Sequence, residues 1–187
     1  EVFVSVDLDP DPQDDSSADT LSWTAVDDIC PRIADVLAST RGDDGAPATA
    51  TWFVRSDDRV AAAHDGHTGW LVEHLKPLLT ARQSAGDCIG WHPHIEAQDD
   101  RGWRNAASTA AMPGILKRGA AAFQAQGFKP ECTRMGGNAG SHDILSTLEE
   151  LGVRVDSSAM PGRARQDEIF GFDWMTTPAK PYRPSRS

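Results

Sequence analysis

Apolar and polar positions along the chain fall into short runs of two different periods. Val2–Val6 is a β-rich run that stops at Asp7, and Thr49–Val54 ("TATWFV") is a second strand followed by "RSDD". Between them, Asp27–Ser39 places Ile29, Ile33, Val36 and Leu37 at helical spacing and runs into the glycine-rich "RGDDGAPA". Leu71–Arg82 reads as helix interrupted or kinked at Pro77, and Cys88–Trp91 as a third strand. Ile115–Gln126 is a helix closed by Gly127, and Cys132–Thr133 a short strand ending at "RMGG". Ser141–Leu151 carries the fullest helix signal: a Ser cap, an apolar stripe at Ile144, Leu145 and Leu148, and Gly152 just beyond. Val153–Val155 is a further strand, with Asp156 after it, and another is read near Phe172–Met175. No internal repeat interrupts this order.

Strands alternating with helices predict a parallel sheet with right-handed crossovers, either an open α/β sheet or a barrel. The polar residues then follow a rule. Asp7 and Asp9, Ser56 and Asp57, His92 and His94, Arg134 and Asp156 each come just after the C-terminal end of a predicted strand. In both architectures that rim is where active sites form. The clustering of chemistry-bearing side chains at strand ends therefore predicts an enzyme.

Composition narrows the class. At 187 residues, 39% apolar, the chain suits one domain spanning 1–187 with a buried core. No run approaches the length of a membrane span, and no signal-peptide pattern opens the chain. A formal charge of −10 argues against nucleic-acid and anionic-membrane surfaces, which need basic patches. Much of it lies in "DLDPDPQDDSSAD", six aspartates in thirteen residues, which reads as a solvated loop and lacks the calcium-loop signature. Three cysteines, Cys30, Cys88 and Cys132, form neither a disulfide framework nor a zinc spacing. Cys88 and Cys132, inside apolar runs, are expected as buried free thiols, and the odd count favours a reducing, cytoplasmic setting.

The stretch "DCIGWHPHIE", Asp87 to Glu96, carries the most specific chemistry. In extended chain, residues i and i+2 point to one side, so His92 and His94 face one point, and Pro93 stiffens the pair. Asp7 and Asp9 have the same spacing. Two imidazoles and a carboxylate form the ligand set of a catalytic zinc with one open position, and cobalt, nickel, manganese or iron would also fit. One aspartate would complete the coordination while the other takes a proton from water.

These residues carry a resemblance to the polysaccharide deacetylase family, the NodB-homology carbohydrate esterases. "FVSVDLDPD" resembles its first motif and "GDCIGWHPH" its second; "GFKPECTRMGGNAGSHDILSTLEELGVRVDSS" closely resembles its third and the helix and strand after it; "FDW" and "PYRPS" resemble the tail of the domain. The resemblance implies a distorted (β/α) barrel with fewer than eight strands, and metal-dependent removal of an acetyl group from an N-acetylated or O-acetylated sugar, or cleavage of a related small amide. It makes Asp7 the general base, Asp9, His92 and His94 the metal ligands, and Arg134 the residue that orients the base. Leu8 separates the aspartates where the family more often has them adjacent, and its histidines are usually four apart, so either assignment of Asp7 and Asp9 stays open. The family's last strand brings a general-acid histidine that "PYRPSRS" does not reach, which predicts a barrel lacking that strand. Trp91 and Trp174 are expected as pocket walls, and Gly136–Gly137 as a tight turn or amides near an oxyanion. Glu96, one alternation beyond His94, is placed to reach the ion but expected in solvent; His64 and His67 are expected in a surface loop rather than lining the rim, and Asp156 against Arg134 or capping the next turn. The implied partner is a small-molecule or carbohydrate substrate. Competing readings are a catalytically impaired binding module on the same scaffold and a metal-dependent isomerase.

Overall fold

A computed structural model of the chain describes residues 3–11, 20–106, 110–166 and 171–184. Val2 and residues 12–19 of the acidic run lie outside them. The central layer is a parallel sheet of five strands, β1 (Val4–Leu8), β2 (Ala50–Val54), β3 (Cys88–Trp91), β6 (Cys132–Thr133) and β7 (Val155–Asp156), in spatial order β1-β2-β3-β6-β7. Its crossovers hold α1 (Thr24–Ser39), α2 (Asp58–Ala63), α3 (Trp70–His74), α4 (Lys76–Ser84), α5 (Met112–Ala125) and α6 (His142–Glu150). Two antiparallel ribbons complete the described residues: β4 (Glu96–Asp99) with β5 (Gly102–Asn105), and β8 (Ala164–Gln166) with β9 (Gly171–Asp173). The molecule is thus mixed α/β, and its five parallel strands do not close on one another among the described residues.

Alternation along the strands gives the sheet two unlike faces. On one, Trp52, Val54, Ile89 and Trp91 join Leu71, Leu79, Leu116 and Phe123 in the core cluster. The pairings Asp7 with Phe53 and Phe53 with Gly90 set those three positions on the other face. Arg134 follows β6 on that second face, its guanidinium 4.5 Å from the Phe53 ring centroid. From there it reaches Asp7 on β1. Three strand spacings separate β6 from β1, on the order of 14 Å in a flat sheet, well beyond an arginine side chain. The sheet is therefore curled, with Asp7, Phe53 and Arg134 on its concave face.

Several elements differ from the sequence reading for identifiable reasons. Of the two outcomes expected at Pro77, interruption rather than a kink is found: it sits in the first turn of α4, which follows α3 after a single residue. In α1 the buried face runs through Val26, Cys30 and Leu37, leaving Ile29 48% and Val36 61% exposed. Cys88 is exposed and Cys132 half-buried, both on the concave face, opposite the one that packs on the described helices; Cys30 alone is buried. Trp91 is not a pocket wall. Its side chain points into the core, 0% exposed, with its indole N–H donating to Ser56 O at 3.1 Å.

The end of α4 is stitched to the sheet by one buried carboxylate. Asp87 accepts from Arg82 Nε at 2.7 Å, from Trp52 Nε1 at 2.6 Å and from Ala50 N at 3.0 Å. This fixes where β3 starts, and hence where its two histidines emerge. No described helix is long and apolar enough to cross a membrane.

Candidate metal centre

β1 and β3 deliver the site from opposite sides of β2. The strand pairing of β3 is prolonged by His92 N donating to Val54 O at 2.9 Å, so His92 and His94 leave the sheet in extended chain. Their rings meet edge to face, 5.0 Å between centroids. Asp9, just past β1, completes the set. His94 Nε2 lies 3.2 Å from Asp9 Oδ1, His92 Nε2 lies 3.4 Å from Asp9 Oδ2, and the two Nε2 atoms are 3.3 Å apart.

The tautomers follow from the other ring nitrogens. His92 Nδ1 is 2.6 Å from Arg134 O, and a carbonyl only accepts, so that nitrogen carries a proton. His94 Nδ1 faces Glu96 Oε1 at 3.4 Å, a carboxylate that likewise accepts. Both Nε2 atoms therefore turn toward the Asp9 carboxylate and toward each other, an arrangement that either a proton on an imidazole or a bound cation would satisfy. Burial and the Arg55 charge oppose protonation of His94, but Asp9 and Glu96 outweigh them and raise its pKa. Burial likewise opposes ionisation of Asp9, yet hydrogen bonds and attraction from His92 and His94 hold it well below the usual carboxylate range.

The cluster also has room for an ion. The two imidazole Nε2 atoms stand 3.3 Å apart, close to the spacing of about 3.3 Å between donors at ~2.0–2.1 Å around a tetrahedral ion. Each faces a different oxygen of Asp9, Oδ1 for His94 and Oδ2 for His92, with one donor atom from each of the three residues lying within 4.8 Å of the others. Two imidazoles and a carboxylate fit zinc, and accommodate cobalt, nickel, manganese or iron. Asp9, His92 and His94 are the group among the described residues able to hold an ion.

Asp7 stands apart from this triangle. Arg134 Nη1 donates to its Oδ1 at 2.8 Å and to Ser5 Oγ at 3.0 Å, while Nη2 donates to Ser157 Oγ at 3.0 Å. The geometry thus gives Asp9 to the histidines and Asp7 to the arginine.

Sequence reading missed the layer behind the ligands. Glu96 is not in solvent: its side chain is 18% exposed, lying between His94 and the guanidinium groups of Arg55 and Arg59, each 3.5 Å from Oε2. Burial works against its charge, but His94 and the two arginines bring its pKa down to about 2. Arg55 is 2% exposed, chelates Asp57 at 2.8 and 3.0 Å, and lies 3.6 Å from Asp9 Oδ1. Asp57 also caps α2 through Val60 N, while Ser56 Oγ donates to Gly119 O. The strand-end rule marked Ser56 and Asp57 but not the arginine before them. For Glu96 a signal existed, since it continues the i, i+2 alternation of His92 and His94.

Two glycines prove structural. Gly136 N donates to Pro93 O at 2.9 Å, so this amide is committed and does not serve an oxyanion. A Cβ at Gly136 would lie 2.2 Å from His94 Cδ2, which is why no larger residue stands there. Trp174, 8% exposed, packs over Gly140 and donates its indole N–H to Asn138 O at 3.1 Å. His64 accepts from Trp23 Nε1 at 3.1 Å and stacks on Trp70 at 3.6 Å, a packing role; His67 faces Glu73 at 3.3 Å. Asp156 accepts from Ser158 Oγ at 2.5 Å and turns the chain, while Arg134 takes Ser157 instead. Burial raises the Asp156 pKa to about 6.

No protein-family model matches the chain, and no curated protein matches it significantly.

Proposed function

We propose that the chain is a metal-dependent hydrolase that removes an acetyl group from an N-acetylated or O-acetylated sugar, or cleaves a related small amide. The observation that carries this is the convergence of donor atoms from Asp9, His92 and His94, able to hold an ion, beside a separate Asp7–Arg134 pair. A divalent ion there, zinc foremost, would polarise an acyl carbonyl and acidify water at its open position. Asp9, His92 and His94 would hold the ion, with Glu96 and the Arg134 carbonyl fixing the imidazole orientations. Asp7 takes the proton from the attacking water, and Arg134 fixes the direction of its carboxylate. The resemblance of the strand-end motifs to those of the polysaccharide deacetylases supports this division of roles. The curl of the sheet agrees with a distorted barrel of fewer than eight strands as the complete scaffold.

The test is release of acetate from N-acetylated oligosaccharides and small acetamides by zinc-loaded protein. Acetate should appear above the metal-free background, and Asp7→Asn should lower the rate on the order of 10²-fold or more while leaving the bound metal in place. Zinc-loaded protein that releases neither acetate nor ammonia from amide and ester substrates would rule the hydrolase out.

A further inference from the structure

Cys88 and Cys132 form a second cluster, independent of the metal centre. They stand on adjacent strands, β3 and β6, with their sulfurs 3.2 Å apart. Both belong to the concave face, and Cys88 is exposed. Trp91 pairs with Thr133 across these strands, so the register neighbour of Cys132 is Gly90, and Cys88 lies one alternation further down. The sulfurs meet because Gly90 has no side chain: a Cβ there would be 2.8 Å from Cys132 Sγ. The sequence therefore places two thiols in contact on a diagonal and clears the position between them.

We infer that Cys88 and Cys132 are an oxidisable dithiol, a site at which a hydroperoxide closes a reversible disulfide between β3 and β6. The exposed sulfur of Cys88 attacks the peroxide, breaking its O–O bond and expelling alcohol or water, and becomes a sulfenic acid. Burial and the neighbouring Cys88 push the Cys132 thiol up to about 12, so Cys132 remains the resolving partner rather than the first nucleophile. Its sulfur then displaces water from the sulfenic sulfur, forming the S–S bond. Two thiols lose two hydrogens and the peroxide is reduced to alcohol and water. The exposure of Cys88 leaves the bridge accessible to a dithiol reductant. It would be a switch rather than a permanent staple, and it would tie the strand that carries the histidines to the strand that carries Arg134.

The experiment treats the whole chain with hydrogen peroxide and then counts thiols, measures intact mass and maps peptides without reduction. Expected are a fall from three free thiols to one, a mass loss of two hydrogens, a Cys88–Cys132 linked peptide, and full reversal by a dithiol reductant. Cys30, buried, should stay reduced and serve as an internal reference. Cys132→Ser should instead accumulate oxygen on Cys88, and Cys88→Ser should leave Cys132 unmodified under the same treatment. Three thiols surviving the oxidant, oxygen added to wild-type Cys88 without a bond to Cys132, or a bridge found only between two chains would each overturn the inference. None of these readouts depends on metal or turnover.

Discussion

Asp7 and Asp9 are separated by one residue, yet their neighbours give them different work. Asp9 is taken by two imidazoles whose remaining nitrogens are already committed, and Asp7 by a guanidinium. Behind the ligands, Glu96 holds His94 in place, so its removal should be felt at the ion rather than in the fold. Glu96→Gln is expected to weaken zinc binding about 10–100-fold in a competition titration against a chromophoric chelator, with an unchanged far-ultraviolet spectrum; unaltered affinity would count against that role. Asp156 supplies a pH signature. Its folded pKa, about 6, lies above the ordinary carboxylate value of ~4, so the folded chain binds this proton more tightly than the unfolded one. Stability from this group is full at low pH and falls as pH rises through that window, by at most about 3 kcal/mol. Denaturant unfolding of wild type and Asp156→Asn at pH 4.5 and 7 should show the wild type losing more stability on going to the higher pH. Parallel losses in the two proteins would contradict it.

At the scale of elements, the site depends on where strands start and stop. Asp87 joins Arg82 of α4, Trp52 and Ala50 of β2 and the entry to β3 through four hydrogen bonds, and it is 5% exposed. Asp87→Ala leaves Arg82 buried without its partner and should cost about 3–5 kcal/mol of stability in guanidinium unfolding; a cost below about 1 kcal/mol would show the stitch to be dispensable. The strand-end residues were legible in the sequence because period-two runs ending in Asp or His need only local information, and parallel order places those ends on one rim. The β4–β5 ribbon was not legible, since "EAQD" and "GWRN" offer almost no apolar alternation. Nor was the buried face of α1. Ile29 and Val36 satisfy helical spacing as well as Val26, Cys30 and Leu37 do, and only the docking of the helix chooses between them. The Arg55, Asp57 and Glu96 network joins β2, α2 and β4, and such long-range pairing has no sequence period.

At the scale of the whole molecule, curling of the five-stranded sheet converts three distant strand ends into one centre. Asp9 from β1, the histidine pair from β3 and Arg134 from β6 would lie in a row along a flat sheet; here the Arg134 carbonyl holds His92 while its guanidinium holds Asp7. That single residue couples the candidate ligands to the proposed base. The proposed chemistry stands or falls with an ion held by Asp9, His92 and His94. Elemental analysis of the chain, loaded with zinc and dialysed, measures this most directly when repeated on His92→Ala, a variant whose folding is checked by its far-ultraviolet spectrum. Expected are about one tightly held zinc per wild-type chain and its loss from the variant. Wild-type protein that retains no zinc, or a folded His92→Ala that retains as much, would contradict the proposed chemistry.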